Sequence, residues 1–337
     1  MDAFGLFALR RAILSAHSVD ELAEIANLVP RLYVDLVDAG LEASTLSRIV
    51  STLCDAMTSR LLESSVEQRG APPVPYAWLA LGSTGRNELA LASDQDNALA
   101  YADTDDPLAD AYFLQMATDV VEGLRRCGFP PDAHGVLATH REWRMQRSAW
   151  LRAFADCLDG ADNERLLRAA IGFDFRHVAG DLSIVPELNE VIRQAPCHSR
   201  FLGGLAELGS EISSPLGFRR RLKAPVDIKK DGLLPVQNLA RYYAFASGIT
   251  ATNTADRLAA VHQAGGTGSD AARSLRDAFL DMRQLQARHH ANGVRAGRTP
   301  DNRIDTPNLR PRTKASLQEG LRAVASVQEQ LPRRAVL

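Results

Sequence analysis

The spacing of apolar residues changes period along the chain, and each change marks a part of the fold. Residues 1–70 carry helical spacing. Ser18-Val19-Asp20-Glu21 reads as a capping box, with Ser18 as the N-cap and Glu21 three residues on. Leu46, Ile49, Val50, Leu53, Met57 and Leu61 then form one apolar stripe of a long helix. Gly70-Ala71-Pro72-Pro73 stops helical structure. At Tyr76 the character changes. Tyr76–Leu81 is a short apolar run ending at a glycine, as a buried strand would be, and Asp94–Tyr101 reads as a second strand after a polar turn. Helical spacing returns over 107–127 through Leu108, Tyr112, Met116, Val120 and Leu124, and Gly135–Thr139 reads as a third strand. From Glu142 on the pattern is mainly helical, broken at Pro196, Pro215, Pro225, Gly265-Gly266-Thr267-Gly268 and Pro300. It ends in a packing helix over 316–331, with Leu317, Leu321, Val324, Val327 and Leu331 on one side. The expected fold is α+β and mostly helical. A helical region (1–70) precedes a small mixed sheet with flanking helices (71–145), and a C-terminal helical bundle (146–337) follows.

Composition narrows the classes. The chain has 337 residues, enough for more than one core. Lys and Arg number 39 against 41 Asp and Glu, a net charge of −2, so no global field draws it to nucleic acid or an anionic membrane. Cys54, Cys127, Cys157 and Cys197 are widely spaced without a C-x-x-C pair, which argues against a zinc or disulfide framework and suits reduced thiols of a cytoplasmic protein. The segment 1–17 is amphipathic and broken by Arg10 and Arg11, unlike a signal peptide. No apolar run approaches the ~20 residues that cross a bilayer. A soluble protein is expected.

The stretch from Leu81 to Tyr101 carries the candidate chemistry. In a strand, residues two apart share a face, so Asp94 and Asp96 would present two carboxylates side by side. Such a pair repels itself unless a cation lies between, and Mg²⁺ prefers hard oxygen ligands. A nucleoside triphosphate supplies further oxygens to the same ion, which can then neutralise charge developing at the α-phosphate. Gly82-Ser83 and Gly85 precede the pair. Glycines let backbone approach a phosphate, Ser83 adds a hydroxyl, and Arg86 adds a fixed positive charge. The spacing fits neither a Walker loop nor a Rossmann turn. His289-His290 reads as a solvated helix end, since adjacent helical residues point about 100° apart. Arg295, Arg298, Arg303, Arg310 and Arg312 lack the interleaved aromatics of a single-strand binder and read as surface; nucleic acid is not an expected partner.

Gly82-Ser-Thr-Gly-Arg-Asn-Glu88 followed by Ser93-Asp-Gln-Asp-Asn97 resembles the nucleotidyltransferase signature of the DNA polymerase β superfamily. It is most similar to the branch of PII-protein uridylyltransferase and glutamine-synthetase adenylyltransferase. Within that branch it resembles the signal-transduction nucleotidyltransferases that are often fused to CBS and cyclic-nucleotide-binding modules. No such module, and no ACT or HD-type segment, is read in this chain. The resemblance extends through Gly135-Val-Leu-Ala, Glu142-Trp-Arg144, Phe173-Asp-Phe-Arg176 and Gly180-Asp181, then through Asp227-Ile-Lys-Lys-Asp-Gly232, Ala240-Arg241, Thr252-Asn-Thr254 and Arg257-Leu258. It implies that Gly82 and Ser83 hold a triphosphate and that Asp94 and Asp96 hold Mg²⁺ or Mn²⁺. Gly85 and Arg86 belong to the same signature, and so does Glu88, whose simpler reading is a partner for Arg86. Lys229 either reaches a phosphate or acceptor or is a solvent-facing lysine.

One departure stands out. The superfamily adds a third carboxylate on a later strand, yet Gly135–Thr139 contains no acid. Asp132 lies just before it and Asp174 beyond, in a segment that reads as helical and where Asp174 and Arg176 suggest a buried ion pair tying helices together. The expected function is transfer of a nucleoside monophosphate from an NTP to an acceptor, a protein by analogy with the relatives, at a cleft between the sheet and the following bundle. The missing acid leaves a second reading, a nucleotide-sensing module in signal transduction whose catalysis has decayed.

Overall fold

The computed structural model describes residues 5–160, 162–212, 215–216, 222–266 and 268–331. In chain order the helices and strands begin with α1 (Leu6–Ser15), α2 (Val19–Ala26), α3 (Val29–Asp38) and α4 (Ala43–Arg69). Then come β1 (Tyr76–Ala80), the single turn α5 (Gly82–Gly85), β2 (Asn97–Tyr101), α6 (Ala109–Arg126), β3 (Arg144–Gln146), α7 (Arg147–Asp159), α8 (Asn163–Gly172) and β4 (Arg176–Gly180). The remainder is α9 (Val185–Arg193), α10 (Ser199–Glu211), β5 (Val226–Asp227), a π-helical turn (Ile228–Leu233), α11 (Leu234–Ala246), α12 (Thr254–Ala264), α13 (Ser269–Arg295), β6 (Arg303–Ile304) and α14 (Pro311–Glu329). The fold is α+β and mostly helical, as the periodicity predicts. Among the described residues no helix is long and apolar enough to cross a membrane.

Two compact units emerge. The first comprises residues up to Leu41, Thr45–Ala153 and Asp174–Leu188. Its centre is a four-stranded mixed sheet in the order β3-β2-β1-β4. β1 lies antiparallel to β2, with Tyr76 opposite Tyr101 and Ala80 opposite Asn97, and β3 runs parallel to β2. Both central strands are buried over nearly their whole length, so they read as continuous apolar runs without alternation. Phe113 of α6 stacks on Tyr101 at 4.8 Å between ring centroids and tilts against Tyr76 at 5.8 Å. The Trp150 indole of α7 donates to the Leu99 carbonyl of β2. Arg69 of α4 and Asp119 of α6 pair through two hydrogen bonds of 2.7 and 2.8 Å.

The helix expectations hold with shifts that packing explains. Ser18 caps α2 through the Glu21 amide, but the Glu21 carboxylate accepts from the His17 amide, one residue outside the usual box. The α4 stripe is buried except at Ile49, which is half-buried. On α6 the inner face is Ala109, Phe113, Met116, Ala117, Val120 and Leu124; Leu108 sits at the cap and is largely exposed. Two strand expectations are corrected. Gly135–Thr139 forms tight turns in place of a strand, with Gly135 at φ +78° and the Leu137 amide bonded back to the Gly135 carbonyl. Its Val136 carbonyl nevertheless accepts from the Asn97 amide, so the segment still flanks the start of β2, which begins at Asn97 and not at Asp94 as the sequence suggests. The chain beyond Asp174, read as helical, is the edge strand β4, paired antiparallel to β1.

The second unit comprises Glu42–Ser44, Phe154–Phe173 and the chain from Asn189 on. Phe154, Phe173, Phe201 and Phe245 form its aromatic core, with successive ring centroids 4.6–6.4 Å apart. The 27-residue α13 packs between α12 and α14. The buried positions of α14 include Leu317, Leu321, Val324 and Val327 of the predicted stripe. His290 is no solvated helix end. It is fully buried, with its Nε2 facing the Asn302 side chain, while His289 meets Asp301. The five arginines from Arg295 to Arg312 are exposed, as read.

Candidate active site

β1 ends at Ala80, Leu81 stays extended, and Gly82 turns the chain with φ +51° into α5. The chain loops through Asn87 and Ser93 and returns beside its own start, where the Leu81 amide donates to the Asp96 carbonyl at 3.0 Å. This brings the Asp96 carboxylate onto Gly82. A Cβ added at Gly82 would lie 2.2 Å from Asp96 Oδ2, so glycine here answers both the left-handed backbone and the carboxylate against it. Along 94–97 burial alternates: Asp94 and Asp96 are half-buried, Gln95 and Asn97 buried. In extended chain that alternation sets the two aspartates on one side and the two amides on the other.

The turn itself is braced from below. Arg86 is buried, donating from Nε to Glu88 at 2.8 Å and from Nη1 to Asp174 at 2.7 Å. Burial works against its charge, but the two carboxylates outweigh burial and hold the guanidinium protonated beyond the usual arginine range. Gly85 presses on the Asp174 backbone, since a Cβ there would stand 1.9 Å from that carbonyl oxygen. Arg176 of β4 forks onto Asp55 of α4 at 2.9 Å and also donates to the Thr84 carbonyl at 3.2 Å. Arg86 thus lies under the turn, between Glu88 and Asp174, where the sequence places it beside a phosphate. The buried ion pair expected of Asp174 and Arg176 is found as two separate pairs, Asp174 with Arg86 in the interior and Arg176 with a partly exposed Asp55, and Glu88 takes the simpler role of partner to Arg86.

Ser83 is differently placed. Its hydroxyl is buried and has no hydrogen-bond partner among the described residues. The amides of the first helical turn, here 82–84, have no acceptor within the helix either. An orphaned hydroxyl beside a carboxylate, at the start of a helical turn, is a donor suited to a phosphate oxygen. The structure therefore gathers Gly82, Ser83, Gly85, Arg86, Asp94 and Asp96 in one unit. Lys229 belongs to the other unit, half-buried on the π-helical turn that Asp227 caps through the Lys230 amide. Of the two acids considered for a third carboxylate, Asp132 accepts from the His134 and Val136 amides of its own loop, and Asp174 is held by Arg86. Among the described residues no group of three or more His, Cys, Asp or Glu is arranged for a metal ion.

Sequence reasoning missed Gln95 and Asn97. The signal was available: two amides at the inward positions of an otherwise apolar strand need buried partners. Gln95 Nε2 donates to the Val121 and Phe129 carbonyls, Asn97 Nδ2 donates to Gln95 Oε1, and Asn97 Oδ1 accepts from the Ala138 amide.

Residues 27–164 match the family model described as "Putative nucleotidyltransferase DUF294" and residues 199–335 the model described as "Putative nucleotidyltransferase substrate binding domain". The chain belongs to the DUF294 nucleotidyltransferase family. This family is related to PII-uridylyltransferase, the branch that the Gly82–Asn97 signature resembles. The first DUF294 match spans the glycine turn and both aspartates, and the second spans Lys229 and helices α10 to α14. No curated protein matches the chain. Membership supports nucleotidyl transfer as the general chemistry of this DUF294 chain.

Proposed function

We propose that this chain transfers a nucleoside monophosphate from a nucleoside triphosphate to an acceptor hydroxyl and releases pyrophosphate, with Mg²⁺ or Mn²⁺ bound by Asp94 and Asp96. The observation that carries the reading is the Asp96 carboxylate resting on Gly82, next to the unspent hydroxyl of Ser83. Two carboxylates suit Mg²⁺, which is commonly held by one or two protein carboxylates together with substrate phosphates. When bound, the ion would neutralise charge on the triphosphate and polarise its α-phosphorus. Ser83 would donate its hydroxyl to a phosphate oxygen, and the amides of the turn would cradle the same group. Gly82 would keep the backbone close enough for that contact, while Gly85, Arg86, Glu88 and Asp174 hold the turn rigid. Lys229 is proposed as a phosphate or acceptor contact from the substrate-binding domain. In the reaction the acceptor oxygen forms a bond to the α-phosphorus as the bridging bond to the β-phosphate breaks. The acceptor's proton leaves to solvent, and pyrophosphate departs. By analogy with the related uridylyltransferase, the proposed acceptor is a protein side chain.

The test is a panel of α-labelled NTPs incubated with cell lysate and Mg²⁺. Wild type is expected to label an acceptor, whereas Asp94→Asn and Asp96→Asn, each verified as folded, lose transfer. Unchanged labelling in both variants would reject the proposal. A second reading has its own observation: Asp174 is paired with Arg86, and Asp132 is bonded by the amides of its own loop. Metal-dependent NTP binding with no pyrophosphate release across the panel would favour a nucleotide-sensing module instead.

A further inference from the structure

Asp94 and Asp96 lie just before β2, where regular pairing has not yet begun. Gln95 makes an isolated bridge to Pro131, and the backbone is held by single bonds: Gln95 amide to the Pro130 carbonyl, Asn97 amide to Val136, Leu81 amide to Asp96. Two like charges on one side of so lightly paired a segment repel, and a roll of either residue relative to the other would part the carboxylates. Something must oppose that roll. On the other side Gln95 and Asn97, each about 3% exposed, make four side-chain bonds of 2.9–3.0 Å. The Gln95 amide can face only one way, because Val121 and Phe129 both present carbonyls and only its NH₂ can donate to two acceptors. That leaves Gln95 Oε1 for Asn97 Nδ2, which in turn fixes Asn97 Oδ1 on the Ala138 amide. Any roll of the segment would strand several buried polar groups at once, so the arrangement resists it.

We propose that Gln95 and Asn97 are positioning residues, an inward amide pair that locks the rotation of segment 94–97 and so holds the Asp94 and Asp96 carboxylates together as one cation site. The inference rests on the metal-binding role proposed above for the two aspartates. It makes the end of α6 and the following loop, through Val121 and Phe129, the base on which the site stands. It also gives a reason for amides here: a hydrocarbon would fill the space without defining an angle.

The test uses the full-length chain and Mn²⁺ alone, with free Mn²⁺ read by its electron paramagnetic resonance signal. Wild type is expected to bind Mn²⁺ and Asp96→Asn to lose it. Gln95→Met, of similar length, should melt cooperatively yet bind Mn²⁺ roughly 10- to 100-fold more weakly. Amide exchange at Ala138 should be faster than in wild type. Phe113→Leu, a core change in α6 that leaves the amides intact, should lower the melting temperature without changing Mn²⁺ affinity. Should Gln95→Met fail to fold, Asn97→Ser, which gives up the Gln95 and Ala138 contacts of Asn97 but leaves Gln95 bonded to Val121 and Phe129, is read in the same way. Mn²⁺ affinity within twofold of wild type in the folded amide variant, or an equal loss in Phe113→Leu, overturns the positioning role. Equal Mn²⁺ binding by wild type and Asp96→Asn instead overturns the metal site itself, a result distinguishable from the first.

Discussion

At the scale of single residues, the site depends on two substitutions that small chemistry forbids. Gly82 combines φ +51° with an Asp96 oxygen where its Cβ would go. Gly82→Ala is expected to displace the carboxylate by an ångström or more and to lower turnover by about 100-fold, the usual cost of such a misplacement. Its melting temperature should fall only a few degrees, and wild-type turnover in the labelled-NTP assay would contradict the placement. Arg86 is the opposite case, a charge whose removal leaves Glu88 and Asp174 buried without their cation. Arg86→Met should cost about 3–5 kcal/mol of stability, measured by urea unfolding, because the uncompensated carboxylates must ionise in a dry site or take up protons. A loss under 1 kcal/mol would mean that solvent reaches the pair. Arg86→Lys keeps the charge but not the fork, so it is expected to recover part of the loss.

Among the elements, local signals fared best where they act locally. Ser18 caps α2 because its hydroxyl reaches the Glu21 amide, a contact four residues wide that needs no partner from elsewhere. Ser18→Ala should therefore cost roughly 0.5–2 kcal/mol, read from the urea midpoint, and Ser18→Asn much less. The α4 stripe and the β1 run were legible for the same reason, since a face must be apolar along its own length to be buried. The segment around Asp174 was not. Its apolar spacing fits a helix as well as a strand, and what makes β4 is the vacant edge of β1, far away in sequence. Likewise Gly135–Thr139 has strand composition, but turn bonds from Gly135 onward prevent a regular ladder with β2. The D-x-D motif was found from spacing alone; the Gln95–Asn97 pair between and beyond its acids needed the carbonyls of α6 and its loop to become meaningful.

For the molecule as a whole, each unit carries a buried polar arrangement inside an ordinary apolar core. In the second unit His290 is fully buried, bonded to Asn302, with Arg283 and Gln286 along the same helix and His289 beside it. Burial first, then the neighbouring His289 and Arg283, depress its pKa to about 4. The folded protein therefore resists a proton that the unfolded chain accepts near pH 6.5. Its contribution is complete above about pH 6.5 and is lost as pH falls from there toward 4, a loss on the order of 2–3 kcal/mol. His290→Gln removes the titration, so the urea-midpoint difference between wild type and variant should be flat above pH 7 and change steadily below 6.5. A difference that stays constant down to pH 4.5 would show that His290 is already protonated in the fold or unburied.

By itself the sequence determined the fold class, the long helices, the two central strands and the Gly82–Asp96 constellation. All of these depend on periodicity or on residue types at fixed local spacing. Tertiary structure alone decided that Arg86 lies beneath the turn and not on its surface, that Asp174 is spent as its partner, and that His290 is core. Those outcomes are set by which groups meet across long stretches of chain, where desolvation and pairing compete, and no spacing along one segment records the result of that competition.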